Sequence, residues 1–200
     1  VAVAATLKPL TPDLWPALED LFGPNGAHGG CWCMYWRIPG PRRHWADACG
    51  EPNRSSFSAI VEDGPPPGLI AFDGDMPVGW VAVGPRRLYP RFNAAKTSAP
   101  AMPGDVDDAG VWVITCFFVR SGARRGGLMR VLIDGAAAFA RQNGARCLEA
   151  CPIETTRKLI WGEGYVGIGA TFRAAGFREV AKRTQTRPLM RLDLAPGTAS

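Results

Sequence analysis

Long hydrophobic runs are missing from this 200-residue chain: its longest apolar stretches, such as VWVITCFFV at 111–119, fall well short of the ~18 residues a bilayer-crossing helix needs. The opening VAVAATL has neither the basic flank nor the cleavage pattern of a signal peptide. Both absences point to a cytoplasmic protein with no membrane partner. Lysine is scarce too, with 4 Lys against 19 Arg in a net charge of +5. The arginines are spread along the whole length, so no helix carries a basic stripe, and no nucleic-acid module is visible, which argues against a nucleic-acid partner. Without an export signal, the six cysteines are expected to be reduced.

What the chain does have is enough apolar material for a core: 46% hydrophobic against 20% charged residues, consistent with a single domain over 1–200. Its most informative stretch is 111–133, VWVITCFFVRSGARRGGLMRVLI. An apolar strand runs into a tight Arg/Gly loop and then into a helix. The first N–H groups of a helix have no internal acceptors, so this order of parts builds an anion site. Arg124, Arg125, Gly126 and Gly127 stand at the junction, where glycines let the backbone close in and guanidinium groups supply charge. The expected ligand is a phosphate-bearing cofactor.

Around that centre, Pro12 and the spacing of Leu14, Leu18, Leu21 and Phe22 predict a helix over 11–22 with Thr11 as N-cap. A second short helix is expected to open at CWCMYWR (31–37), and a third over 53–62. Residues 69–72 and 77–83 should pair as a hairpin across Asp73-Gly74. Apolar positions Leu128, Val131, Leu132, Ala136 and Phe139 predict a helix over 128–142 that ends at Asn143-Gly144. A strand over 145–153, a helix over 165–175 stopped by Gly176, two last strands within 177–194 and a flexible tail at 195–200 complete the expectation. The 84–110 segment lacks apolar periodicity and is read as a long loop, either plain surface or the wall of an acceptor site carrying Arg86, Arg87, Arg91, Asp105, Asp107 and Asp108.

With PVGWVAV, CFFV, GARRGGLM, RVLIDGAAAFA and FRAAGF in that order over about 69–192, the chain resembles the Gcn5-related N-acetyltransferase (GNAT) superfamily. The resemblance implies an α/β fold with a mixed, twisted central sheet flanked by helices and splayed between the two central strands. It implies acyl-CoA, in the first instance acetyl-CoA, as co-substrate. Backbone N–H groups from Arg124 through Arg125, Gly126, Gly127, Leu128 and Met129 would hold the diphosphate, and the exposed edges of Phe117, Phe118 and Val119 would bond the pantetheine arm as an added strand would. Met129 departs from the small residue the family loop has there. Phe172 stands where many members place a tyrosine acid, and Tyr165 falls where the family often has a cofactor-contacting residue.

A leaving thiol with pKa near ~8.5 departs without much help, whereas an alkylammonium of pKa near ~10.4 must lose a proton before it can attack. Glu149 is the candidate base, with Glu154 behind it, and Tyr165 a second catalytic candidate. Trp32, Tyr35 and Trp36 are either ordinary core or an aromatic box for a cationic acceptor. Cys31, Cys33, His44 and Cys49 lack customary zinc spacing, so no metal is expected. The glycines at 162–167 spell a dinucleotide fingerprint but follow no strand, and Cys116 and Cys151 have no nearby His to activate them.

The expected function is N-acetyl transfer from acyl-CoA to an amine on a small molecule or peptide by direct attack in a ternary complex. The rival is a CoA-binding module with little or no transferase activity. Acceptor and oligomeric state, a homodimer included, stay open.

Overall fold

A computed structural model describes residues 5–155 and 163–194. The tail at 195–200 and Gly162 lie outside the described residues. Seven strands form one sheet: β1 (Thr6–Pro9), β2 (Gly68–Asp73), β3 (Met76–Pro85), β4 (Val111–Val119), β5 (Cys147–Ala150), β6 (Arg178–Lys182) and β7 (Pro188–Asp193). Their order is β1-β2-β3-β4-β5-β7-β6. All neighbours are antiparallel except β4 and β5, the pair joined through a helix, as a parallel connection requires.

The helices are α1 (Trp15–Phe22), α2 (Arg42–Asp47), α3 (Glu51–Asp63), α4 (Pro90–Ala94), α5 (Leu128–Gln142) and α6 (Gly169–Ala174). On one face of the sheet, α5 lays Leu128, Leu132, Ile133, Ala136 and Ala140 against Leu69, Ala71, Val81 and Ile114. The opposite face is covered by Leu18, Leu21 and Phe22 of α1 and Phe57 and Val61 of α3, packed on Ile70, Phe72, Trp80 and Ala82. Among the described residues no helix is long and apolar enough to cross a membrane.

Two features of β4 open the sheet. Ala82 pairs with Cys116 and Val83 with Ile114, so Thr115 is an extra residue, a bulge that bends the strand. The parallel ladder with β5 ends at Ile114↔Ala150. Beyond it β5 leads away to Ile153, which bridges Ile168 instead. The last residues of β4 are therefore left with an edge that β5 does not pair, the splay the sheet was expected to have.

Three expectations change. CWCMYWR is not helical: Trp32 (φ 45°) and Cys33 (φ 60°) are left-handed, and the second helix forms later, at α2. Trp32, Cys33 and Met34 are all buried, and three consecutive residues cannot all face one side of a helix. The helix expected over 165–175 breaks at Gly167 (φ 80°), where a side chain would meet the rings of Phe117 and Phe172. Tyr165 lies instead in a preceding 3-10 turn, Glu163–Val166. The 84–110 segment is a connection but not a bare one: it carries a 3-10 turn (Arg86–Leu88) and α4, and it buries Arg86, Tyr89 and Phe92.

Candidate functional site

The strand-loop-helix junction has the geometry of an anion cradle. Arg120 fixes its near side by donating from its main-chain N–H to the Val78 carbonyl (3.0 Å) and from Nε to the Pro77 carbonyl (3.0 Å). After the 3-10 turn Ser121–Ala123, Arg125 takes φ 68° and Gly127, the residue capping α5, takes φ 79°. Left-handed residues in a turn bring neighbouring N–H groups toward one side, as in a backbone nest for an anion. Among the described residues no carbonyl accepts from the amides of Arg125, Gly126, Gly127, Leu128 or Met129. A Cβ added at Gly127 would meet nothing within 4 Å, so space lies open above these donors. Arg124 and Arg125 are exposed beside it, and Arg124 Nε also bonds the Val119 carbonyl at 3.0 Å. Paired phosphoryl groups fit this set of donors.

The end of β4 that β5 does not pair leads straight from the cradle. Phe117 turns into the core against Phe172, with ring centroids 5.9 Å apart. Phe118 faces the other way and lies parallel to the Tyr165 ring at 6.4 Å, while His28 stacks on Tyr165 at 5.5 Å. Burial pushes the Tyr165 phenol above its usual range, with Cys116 and Cys31 adding to the shift and Arg124 opposing it. At neutral pH it keeps its proton, beside the β4 edge that β5 does not pair.

Glu149 does not have the surroundings of a catalytic base. Its side chain and that of Arg86 are both 0% exposed and form an ion pair. Arg191, directly across the ladder on β7, donates to Glu149 Oε1 from Nε (3.0 Å) and Nη2 (2.6 Å). The same guanidinium reaches Asp105 at 2.6 Å, and Arg86 also holds the Ser98 carbonyl. Burial pushes the Arg86 guanidinium below its usual range, with Glu149 and Asp105 opposing the shift. A carboxylate whose two oxygens are both engaged, with no surface, is a structural anchor. It ties the 84–110 segment to β5 and β7. Glu154, the second acid, is paired with Arg173 and Lys182.

The three aromatic candidates separate. Trp32 belongs to the core, stacked on Trp15 at 5.9 Å and packed near Phe22. Tyr35 and Trp36, both half-buried, meet edge to face at 4.8 Å and pack against half-buried Trp45 and buried Phe92. A cation is already present there, since the Arg91 guanidinium lies 5.1 Å from the Tyr35 ring centre.

The family model described as "Acetyltransferase (GNAT) family" matches residues 31–158, more than half of the chain. The chain belongs to that family. No curated protein matches it. Among solved structures, the GNAT domain of S. lividans PAT is 16% identical, with a TM-score of 0.54 over 95% of this chain and 90% of that one. A GCN5-related N-acetyltransferase from Kribbella flavida is 16% identical, with a TM-score of 0.53 over 96% and 98%. Salmonella typhimurium yncA, solved with its cofactor acetyl-CoA, is 14% identical, with a TM-score of 0.51 over 98% and 97%. These likenesses are of fold.

Within the GNAT frame, Phe172 carries no polar atom to the site. It is fully buried between Phe117 and Phe177. Met129 is half-buried and packs against the core under α5. Spacing arguments missed a buried polar group beside the sheet: Arg37 Nη2 donates to the Tyr89 hydroxyl at 2.8 Å. A lone tyrosine in a segment otherwise rich in Pro, Ala and Arg was its only trace.

The thiols differ from one another. Burial pushes Cys31 and Cys147 up to about 11. In the native protein at pH 8 both should therefore react with iodoacetamide at least ~10-fold more slowly than in denaturant, since the thiolate is the nucleophile. Quantitative mass spectrometry of the two peptides checks this, and equal rates in both states would contradict it.

Proposed function

We propose that this protein is an acetyl-CoA-dependent N-acetyltransferase whose acceptor is an amine on a small molecule or peptide. The observation that carries the reading is the run of amides from Arg125 to Met129 that no carbonyl among the described residues engages, under open space at Gly127. Its place at the end of a strand edge that β5 leaves unpaired supports a ligand with a diphosphate at one end and an amide-bearing arm. The Salmonella neighbour solved with acetyl-CoA supports the same choice. When bound, acetyl-CoA supplies an activated acyl thioester.

This chain's own residues then divide the work. The cradle amides and the Arg124 and Arg125 guanidiniums hold the diphosphate. Phe117, Phe118 and Val119 offer main-chain groups to the arm. Tyr165 Oη keeps its proton near neutrality and lines the arm beside Phe118. The acceptor attacks directly as a neutral amine. With Glu149 locked between two guanidiniums, the amine's proton passes to water, so kcat/KM should rise with pH through the neutral range, as the free-amine fraction does.

Calorimetry with acetyl-CoA, together with a thiol-release assay over a panel of amines, tests the reading. Saturable heat and amine-dependent thiol release are expected. No heat and no release with any donor would overturn it. Met129→Ala should leave the Kd within ~2-fold and lower stability by about 1 kcal/mol, less than loss of a fully buried methionine. A large gain in affinity would mean that the thioether obstructs the loop after all.

A further inference from the structure

Among the described residues, Arg37, Arg91, Arg183 and Arg187 are half-buried without a carboxylate partner. Three of them spend their guanidiniums on main-chain carbonyls. Arg91 donates to Ile38 (3.1 Å) and Pro41 (3.2 Å), Arg183 to Ala99 (2.8 Å) and Pro100 (3.0 Å), and Arg187 twice to Cys151 (3.1 and 2.7 Å). Each of these ties one loop to another segment. Arg37 is the exception. Its Nη2 donates to the neutral Tyr89 hydroxyl at 2.8 Å, and its Nε N–H is buried with no acceptor among the described residues.

A buried donor without an acceptor calls for an explanation, because it has lost water and gained nothing in exchange. The surroundings of Arg37 hold a cation but do not satisfy its fork. The guanidinium carbon lies 4.3 Å from the Tyr89 ring centre and 6.0 Å from that of Phe57, and both rings are fully buried. Ring faces attract the charge. They supply no oxygen in the plane of the N–H groups, where a carboxylate would place two.

The place of this guanidinium in the sheet says which anion it meets. A Cβ built at Gly84 would stand 3.4 Å from the Tyr89 hydroxyl. Gly84 pairs with Val113, the residue before Ile114, where the ladder between β4 and β5 ends. Tyr89 packs in one buried cluster with Val113 and with Cys151, the first residue past β5. Arg37 is thus one hydrogen bond from the inner end of the gap between the two strands. The cradle lies at the outer end, beyond Val119, about 16 Å farther along an extended strand. Phosphoryl groups held there are out of its reach.

We infer that the acceptor is an amine that also carries a carboxylate, amino acids being the simplest members of the class, and that Arg37 binds that carboxylate. The inference rests on the function proposed above, in which the acyl end of the cofactor lies at the inner end of the gap. An acceptor gripped there by its carboxylate keeps its amine free to attack.

The test uses the full chain and matched acceptors, a panel of amino acids and their carboxamides, compared at equal concentrations of free amine. In the wild type, kcat/KM for thiol release should favour the carboxylate member at least ~10-fold, the scale of a hydrogen bond to a charged group. Arg37→Gln should abolish that preference through KM and leave the carboxamide within ~2-fold. Arg37→Lys keeps the charge but not the fork, and should show an intermediate preference. Both members are read on one preparation, so any unfolded fraction of a variant cancels from the ratio. A wild type with no preference would overturn the inference. So would a variant that loses kcat equally with both members, the result expected if the guanidinium acts on the acyl oxygen or only supports Tyr89. Calorimetry of the same acceptors with protein saturated in CoA reads the preference without turnover. Binding that depends on Arg37 but never leads to thiol release would refute the proposed function and leave the Arg37 assignment standing, whereas equal binding of the two members, or binding of neither, would refute the assignment.

Discussion

Replacing Glu149 by Gln is expected to lower the free energy of unfolding by about 3–5 kcal/mol, the range for breaking a buried ion pair from one side. The substitution keeps the shape and removes the charge. Arg86, with no exposed side-chain surface, and Arg191, with 11%, are then left with Asp105 as the carboxylate between them. Urea denaturation should show a lower midpoint with an unchanged slope, since the surface exposed on unfolding is the same. Removing both partners should be far milder: Arg86→Met with Glu149→Met replaces ions by apolar groups that need no counter-charge, a change that is often close to neutral. If the single variant proved as stable as the wild type, Glu149 would not be the anchor described here.

Gly127→Val should weaken acetyl-CoA binding at least ~10-fold, which corresponds to about 1.4 kcal/mol. The steric environment does not cause this, because nothing lies within 4 Å of the position a Cβ would take. Two things do. A β-branched residue resists φ 79°, at about 1–2 kcal/mol for the left-handed region, and relaxing that angle rotates the neighbouring N–H groups out of register. The new side chain also fills the space left for the phosphoryl groups. Gly144→Val is the control: it has φ 83° and open surroundings too, but stands past the other end of α5. Its stability should fall by a similar amount while its Kd stays unchanged. Isothermal calorimetry on the pair separates strain from ligand contact, and equal loss of affinity in both would refute the cradle assignment.

The elements legible in the sequence are those governed by local spacing. Helix α5 spans the residues its apolar positions predict, and the β2–β3 hairpin turns where Gly74 allows it. The strand, tight turn and helix around 120–128 could be read because the turn glycines and the apolar spacing of α5 are local signals. What escaped was set by contacts distant in sequence. The 84–110 segment looks unstructured because its anchor is a charge: Arg86 finds its partners at Glu149 and Arg191, far along the chain, and no periodicity signals that. Glu149, taken alone, resembles a base on a strand, and only the arginine across the ladder shows otherwise. CWCMYWR has the aromatic density of a helix face, yet Trp32 is claimed by Trp15 and Cys33 by Trp80, and the backbone leaves helical geometry to serve both. The spacing predicts Tyr165 and Phe172 on one helix, because Gly167 looks harmless until the rings of Phe117 and Phe172 are seen against it.

The order of strands has a consequence for synthesis. β7 comes after every other strand in the chain but lies inside the sheet, between β5 and β6. A nascent polypeptide that has left the ribosome only as far as β6 has both those edges bare, and its two central carboxylates still lack the Arg191 cation. Closure waits for the Pro188–Asp193 segment, so a stop before Pro188 should give a chain destined for proteolysis rather than a shortened domain.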